Sequence, residues 1–259
     1  MIRFVFGLVI APWVSTVAYA AESDESSLSH TTSAGIYYSR GTYGEQQATR
    51  IRYSPVSHEV SSGPWRAKAT LSRVEIAGPG NVLVNVGNIG RAGEGAGSES
   101  GAGDVLLNLT YEVPTISNRL PFFDIGVEIK IPTADENRGL GTGKVDSSMQ
   151  LDFFQTVGNI TLFGTAAWKY RQSSEFFPQL RNSWLLSAGA SIPLTDSTQV
   201  GFFYDYQQAV SDFSGATREW VPYVNWRLSD RWSLMLYAVK GFTDDSADRA
   251  AGMQLGLRW

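Results

Sequence analysis

The chain has 259 residues, 43% hydrophobic, 12% aromatic and 18% charged, with 26 glycines, no cysteine and a formal net charge of -4. A mean hydropathy of -0.13 is too polar for a bundle of membrane helices, and the absence of cysteine removes disulfide scaffolds, thiol catalysis and cysteine-ligated zinc. The charge balance offers no strongly basic face for nucleic acid, and this aromatic content argues against disorder, which leaves a soluble all-β protein or a membrane β-barrel.

Residues 1–20 (MIRFVFGLVIAPWVSTVAYA) read as an export signal: Arg3 gives a positive start, residues 4–11 an apolar core, and Ala18-Tyr19-Ala20 a small-x-small cleavage site. Pro12, Ser15 and Thr16 leave the apolar run short of the ~20 residues that a spanning helix needs. Residues 21–32 form a polar N-terminal segment, and 33–259 read as a single β-domain.

From residue 33 on, apolar residues recur at period two, the signature of strands. The spacing predicts twelve strands near 33–41, 45–56, 64–77, 104–114, 120–132, 144–156, 160–171, 181–193, 199–208, 217–228, 232–241 and 249–259. Most are ten to thirteen residues long, close to what a tilted membrane strand requires and about double a soluble one. An even number puts both termini on one side of a bacterial barrel. The connections sort by parity. Even joins are short and rich in turn residues (SHEVSSG, TISNR, VGN, LTDST, SDR), whereas odd joins are mostly longer, up to the glycine-rich 78–103; the first join, 42–44, is the exception. Short periplasmic turns opposite longer external loops are expected of outer-membrane barrels, and a sandwich has no cause to alternate so.

With that topology Trp65, Phe123, Trp226, Trp232 and Trp259 fall near the periplasmic strand ends, and Trp168, Trp184 and Trp220 near the external ends. Together they predict two aromatic girdles flanking an apolar, lipid-facing band. The polar face of each strand then lines the lumen. The candidate pore-lining set is Arg50, Arg52, Arg66, Lys68, Asp104, Asp124, Glu128, Lys130, Asp152, Lys169, Asp205 and Arg227. Strands eight and eleven offer milder inward faces, with Ser183, Leu185, Ser187, Gly189 and Ser191, then Ser233, Met235, Tyr237 and Val239. A mild wall opposite a charged one suits a solute with both apolar and polar parts.

GLGTGK at 139–144 lacks the spacing of a phosphate-binding loop and precedes a strand, so no nucleotide site is expected there. Asp244, Asp245 and Asp248 read as a solvated turn rather than a metal site. The chain has two histidines, His30 before the first strand and His58 in a turn, neither placed on a wall beside a serine. No cofactor is expected; inward Asp124 and Glu128 could serve hydrolysis as a carboxylate pair, but salt bridging to Lys130 or Arg66 is the more economical reading.

The stretches IAGPGNV at 76–82, GDV at 103–105 and above all VEIKIPTADENRGLGTGKVD at 127–146 resemble a bacterial outer-membrane group labelled "transporter" or "putative MetA-pathway of phenol degradation". The resemblance runs over most of 33–259. It implies a Gram-negative outer-membrane barrel passing small aromatic or other hydrophobic compounds, and it brings no catalytic residues. Trp259 at the end resembles the terminal aromatic read by the barrel-assembly machinery during insertion. The expected partners are thus the outer-membrane bilayer, that machinery and a small solute. The leading expectation is a passive channel; a plugged structural or adhesion barrel is the alternative, and an outer-membrane hydrolase a more distant one.

Overall fold

The computed structural model describes residues 3–4, 28–43, 45–79, 82–86, 88–91, 96–115, 121–175, 177, 179–212 and 214–259. Of the expected signal and polar segment, residues 1–2 and 5–27 lie outside the described residues, and residues 29–32 belong to the first strand.

Twelve strands among the described residues close into an antiparallel barrel. They are β1 (Ser29–Gly41), β2 (Thr49–Ser62), β3 (Trp65–Pro79), β4 (Val105–Val113), β5 (Phe122–Ile131), β6 (Asp146–Val157), β7 (Ile160–Tyr170), β8 (Ser183–Thr195), β9 (Thr198–Gln207), β10 (Thr217–Arg227), β11 (Trp232–Gly241) and β12 (Arg249–Arg258). Each strand pairs with its sequence neighbour, and β12 pairs back onto β1 from Arg249 opposite Arg40 to Arg258 opposite Thr31. Closure pairs each of the twelve strands on both sides over the barrel's span, the condition for a sheet to sit in hydrocarbon.

One end of the barrel carries two-residue turns at 63–64, 158–159 and 196–197. Gly63 and Gly158 open two of them with φ of 53 and 64 degrees, the left-handed backbone that tight hairpins demand and glycine supplies without strain. The other end carries the longer loops 42–48, 132–145, 171–182, 208–216 and 242–248. The first of these is seven residues long because β2 begins at Thr49 rather than 45; at the turn end the exception is instead the eight-residue join 114–121.

Two features of the first four strands differ from the pattern read in the sequence. SHEVSS belongs to β2 rather than to a turn, and its Ser57 and Ser61 face residues of β3 across the pairing. The polar alternation there marks a lumen-facing strand end. Between β3 and β4, residues 96–102 extend β4 and pair with the outer half of β3, from Arg73 opposite Ala102 to Pro79 opposite Ala96. Across Gly103-Asp104 the register shifts by one residue before Thr70 meets Leu106. Such a bulge re-aims the strand, and here it turns Asp104 inward, 2% exposed.

Alternating burial separates two faces. Along β5, Phe123, Ile125, Val127, Ile129 and Ile131 are exposed, while Asp124, Gly126 and Lys130 between them are buried. Apolar side chains on the outside and charges within invert the soluble pattern, and lipid as solvent is the physical reason.

Candidate solute passage

The luminal wall divides into a charged side and an aromatic side. On the charged side, Arg66 of β3 donates to Asp124 of β5 and lies 4.0 Å from Glu112. Glu128 of β5 accepts from Asn108 Nδ2 of β4 at 2.9 Å and from Lys169 Nζ of β7 at 3.3 Å. Gln150 and Thr165 both donate to the buried carboxylate of Asp152. Arg66–Asp124 and Glu128–Lys169 each join strands two apart in the sheet, roughly 10 Å at the usual interstrand spacing. They therefore run along the wall instead of across the barrel. The side chains of Arg66, Glu128 and Lys169 keep 20%, 17% and 19% of their surface accessible, a wet strip at partly neutralised charges.

Facing inward on the other side are Tyr37, Ile51, Tyr53, Val74 and Ile76 of β1 to β3, with Phe203, Val221, Tyr223, Met235, Tyr237 and Val239 of β9 to β11. These form one apolar cluster, with Phe163 of β7 packed against it. Ring centroids lie 6.4 Å apart for Tyr37 and Tyr237, 6.2 Å for Phe203 and Tyr223, and 6.4 Å for Phe163 and Tyr223, ordinary aromatic packing. The milder inward faces expected of strands eight and eleven do point inward. Ser183, Leu185 and Ser191 are buried, and Met235, Tyr237 and Val239 belong to the cluster.

The long loops fold onto this interior. Tyr43 and Ala247, from two different loops, join the luminal cluster. Gly41 leaves room for the Tyr43 ring, since a Cβ there would meet it at 2.7–2.9 Å, and burial pushes the Tyr43 phenol well above its ordinary pKa. Ala247 N–H donates to Glu219 Oε1 of β10 at 3.2 Å. Leu140, Phe177, Leu180 and Val210, from three further loops, are also buried.

One loop is held by a latch of buried charge. Lys130 Nζ lies 3.0 Å from Asp104 and 2.9 Å from Asp146, and donates to Thr142 Oγ1 at 2.8 Å. Asp104 Oδ1 also accepts from the backbone N–H groups of Thr133 and Ala134 at 3.0 and 2.9 Å. Asp135 caps a single 3-10 turn over Glu136–Arg138, and Arg138 pairs with Glu99 on the β4 extension. Much of KIPTADENRGLGTGKVD is thus the machinery that fixes loop 132–145 to the bulge at Asp104. At the next loop, Arg171 donates to Ser183 Oγ at 2.7 Å. Burial lowers its pKa to about 10, against the pull of Asp146 and Glu128.

Ten of the twelve residues expected to line the pore lie on inward-facing positions. Arg66, Lys68, Asp124, Glu128, Asp152 and Lys169 share the charged wall; Asp104 and Lys130 belong to the latch. Asp205 is buried opposite Glu219, its Oδ1 without a hydrogen-bond partner among the described residues. Arg227 is exposed at the turn end and donates to the Asp196 carbonyl at 2.7 Å.

Arg50 and Arg52 are corrections: both are exposed on the outer face, alternating with the buried Thr49, Ile51 and Tyr53. The tight turn at 63–64 is the reason. It sets Arg66 opposite Ser61 and Lys68 opposite Glu59, so even residues of β3 share a face with odd residues of β2. A strand's register fixes every side chain on it, and Arg50 and Arg52 cannot share the lumen with Arg66 and Lys68. The same register turns Ile51 and Tyr53 inward into the aromatic cluster, a placement that the alternation of β2 alone does not give. Locating the Gly63 turn in the sequence would have revealed it.

The eight aromatics expected at the girdles all lie on outward positions. Trp65, Phe123, Trp168, Trp184, Trp220, Trp232 and Trp259 are exposed and Trp226 is half-buried. Trp168 and Trp184 sit opposite each other with centroids 5.1 Å apart. The histidines differ from expectation, for both lie in strands. His30 Nδ1 is 3.3 Å from His58 Nε2, and the His30 ring stacks on Trp259 at 4.6 Å.

The whole of residues 21–259 matches the family described as "Putative MetA-pathway of phenol degradation". The chain belongs to that family. Among curated proteins none matches it by sequence. Among solved structures it is similar to an outer membrane channel from Pseudomonas putida, with a TM-score of 0.63 at 12% identity over 92% of this chain and 98% of that one. The NanC porin follows at 0.55 and 8%, covering 87% of this chain and 97% of its own. The KdgM porin stands at 0.52 and 6%, covering 88% and 98%. At such identities the shared property is the fold, a closed outer-membrane-type barrel.

Proposed function

We propose that the protein is a porin-like outer-membrane channel through which small solutes diffuse passively, with small aromatic compounds as the preferred class. The observation that carries this reading is the divided lumen. A partly accessible strip at Arg66, Glu128 and Lys169 faces a wall of Tyr37, Tyr53, Phe203, Tyr223 and Tyr237. A phenol-like solute entering between them presents a ring to the second, whose packed side chains are 0–7% exposed and must part to admit it, and a hydroxyl to the first. Diffusion down a gradient needs no cofactor and no catalytic group, and the lumen residues set the preference.

In this reading the two-residue turns and both termini face the periplasm and the longer loops face outward, the usual asymmetry of such barrels. Residues 1–20 are the cleaved export signal, consistent with a family match that begins at residue 21. The outward aromatics anchor the two interfaces, and Trp259 serves recognition by the assembly machinery.

Liposome swelling with the purified mature barrel tests the proposal. Phenol-sized aromatics should enter faster than sugars or amino acids of similar mass. Absence of swelling with every solute would favour a plugged structural barrel instead.

A further inference from the structure

The outer face carries a charge pattern that transport does not use. On the wall formed by β10, β11, β12, β1, β2 and β3, seven basic residues point outward in the half nearer the long loops: Arg218, Lys240, Arg249, Arg40, Arg50, Arg52 and Arg73. The centre of this arc is fixed by pairing. Arg249 lies opposite Arg40, and Arg40 opposite Arg50, so three arginines stand side by side on three adjacent strands. One step beyond the Val239–Ala250 pair, Lys240 flanks Arg249.

Like charges directly opposite on neighbouring strands repel. Among the described residues, one acidic side chain stands against this arc. Glu75, opposite Arg52, is the one acidic residue on the outward positions of these six strands. None of the seven forms an ion pair among the described residues; Lys240 instead donates to the Asp248 carbonyl at 3.1 Å, and Arg73 to Ser100 Oγ at 3.1 Å. The arc also sits just beyond aromatic side chains. Tyr38 and Trp220 lie on the same outward rows two residues below Arg40 and Arg218, about 7 Å along a strand. Aromatic rings mark the hydrocarbon boundary, and the next step outward is the headgroup layer.

We propose that this arc is a docking surface for a phosphorylated lipid of the outer leaflet, its phosphate groups held between Arg40, Arg50 and Arg249. Guanidinium groups match phosphate oxygens in bidentate geometry, and each basic residue beside an anionic lipid layer adds to the attraction. An anion between paired arginines turns the repulsion into a bridge. The inference rests on the reading in which the long loops face outward, because that reading puts the arc in the leaflet rich in phosphorylated glycolipid.

The test uses the full mature barrel in detergent and purified bis-phosphorylated lipid A as the probe, with heat-modifiable gel migration reporting the fold. The triple variant Arg40→Gln, Arg50→Gln, Arg249→Gln should bind lipid A at least about tenfold more weakly than the parent at low salt. Dephosphorylated lipid A should bind both proteins equally weakly, and swelling rates should be unchanged. If the triple variant fails to fold, the double Arg40→Gln, Arg249→Gln provides the same comparison. Equal lipid A binding by parent and variant would overturn the proposal, as would displacement of lipid A by inorganic phosphate at equal concentration. Orientation is checked separately by labelling Asp244→Cys with an impermeant maleimide. Labelling on intact cells upholds the outward loops. Labelling only after lysis would overturn the orientation and the outer-leaflet assignment together.

Discussion

The two halves of this barrel differ most in the charge of their outer surface. From β4 to β9 the outward residues are uncharged and largely apolar, such as Leu107, Ile125, Leu151, Leu162, Leu186 and Phe202, while the inner side of β4 to β7 holds the network of Asp124, Glu128, Lys130, Asp152 and Lys169. From β10 round to β3 the outer rim is basic, and much of the interior beside the Arg66 and Lys68 end is tyrosine and aliphatic side chains. The difference teaches that polarity alone does not say which face of a membrane strand meets water. A charge is tolerated in a wet lumen, and equally at a headgroup-level rim; only the middle of the lipid face forbids it.

This comparison can be broken by substitution. The largest effect is expected at the latch. Lys130→Met leaves Asp104 and Asp146 buried without their cation and should cost about 3–5 kcal/mol of unfolding free energy, measured by denaturant titration of the reconstituted barrel. The freed loop 132–145 should also raise single-channel conductance. Next comes a charge placed on the apolar half. Leu151→Arg should destabilise by about 2–4 kcal/mol, or block insertion, because it lies on the lipid face of β6. Arg50→Leu, on the basic half, should leave the fold intact by the same assay. If both substitutions proved equally harmless, the division of the outer surface would be meaningless.

Smaller effects sharpen the picture. Removing Lys169 as Lys169→Gln leaves Glu128 with less compensation and should shift the reversal potential toward cations, by about a twofold change in permeability ratio. Trp168→Leu removes one ring of the cross-strand pair with Trp184 and should cost only about 0.5–1.5 kcal/mol.

Most of the architecture was legible from period-two alternation and from connection lengths, because lipid imposes the first and barrel topology the second. β5 shows this well: its alternating pattern separates the exposed Phe123, Ile125, Val127, Ile129 and Ile131 from Asp124, Gly126, Glu128 and Lys130 between them. β2 shows the limit. Its outward Arg50 and Arg52 mimic a luminal face, and its inward Ile51 and Tyr53 mimic a lipid face, so the pattern inverts near the headgroup level. Only the position of the Gly63 turn carries the parity across to β3. The latch was legible as a run of residues typical of the family but not as a device, since its partner Asp104 lies across a bulge that no periodicity announces.

The chain contains no cysteine, so a single introduced thiol reports one position without background. Thr165 lies on the inner face of β7 beside Asp152, and Leu162 on the outer face of the same strand. In the reconstituted channel, Thr165→Cys should react with a water-soluble, impermeant cationic thiol reagent and its conductance should fall on modification, while Leu162→Cys should stay unreactive. Rapid reaction at Leu162→Cys with Thr165→Cys inert would contradict a wet passage along the charged wall.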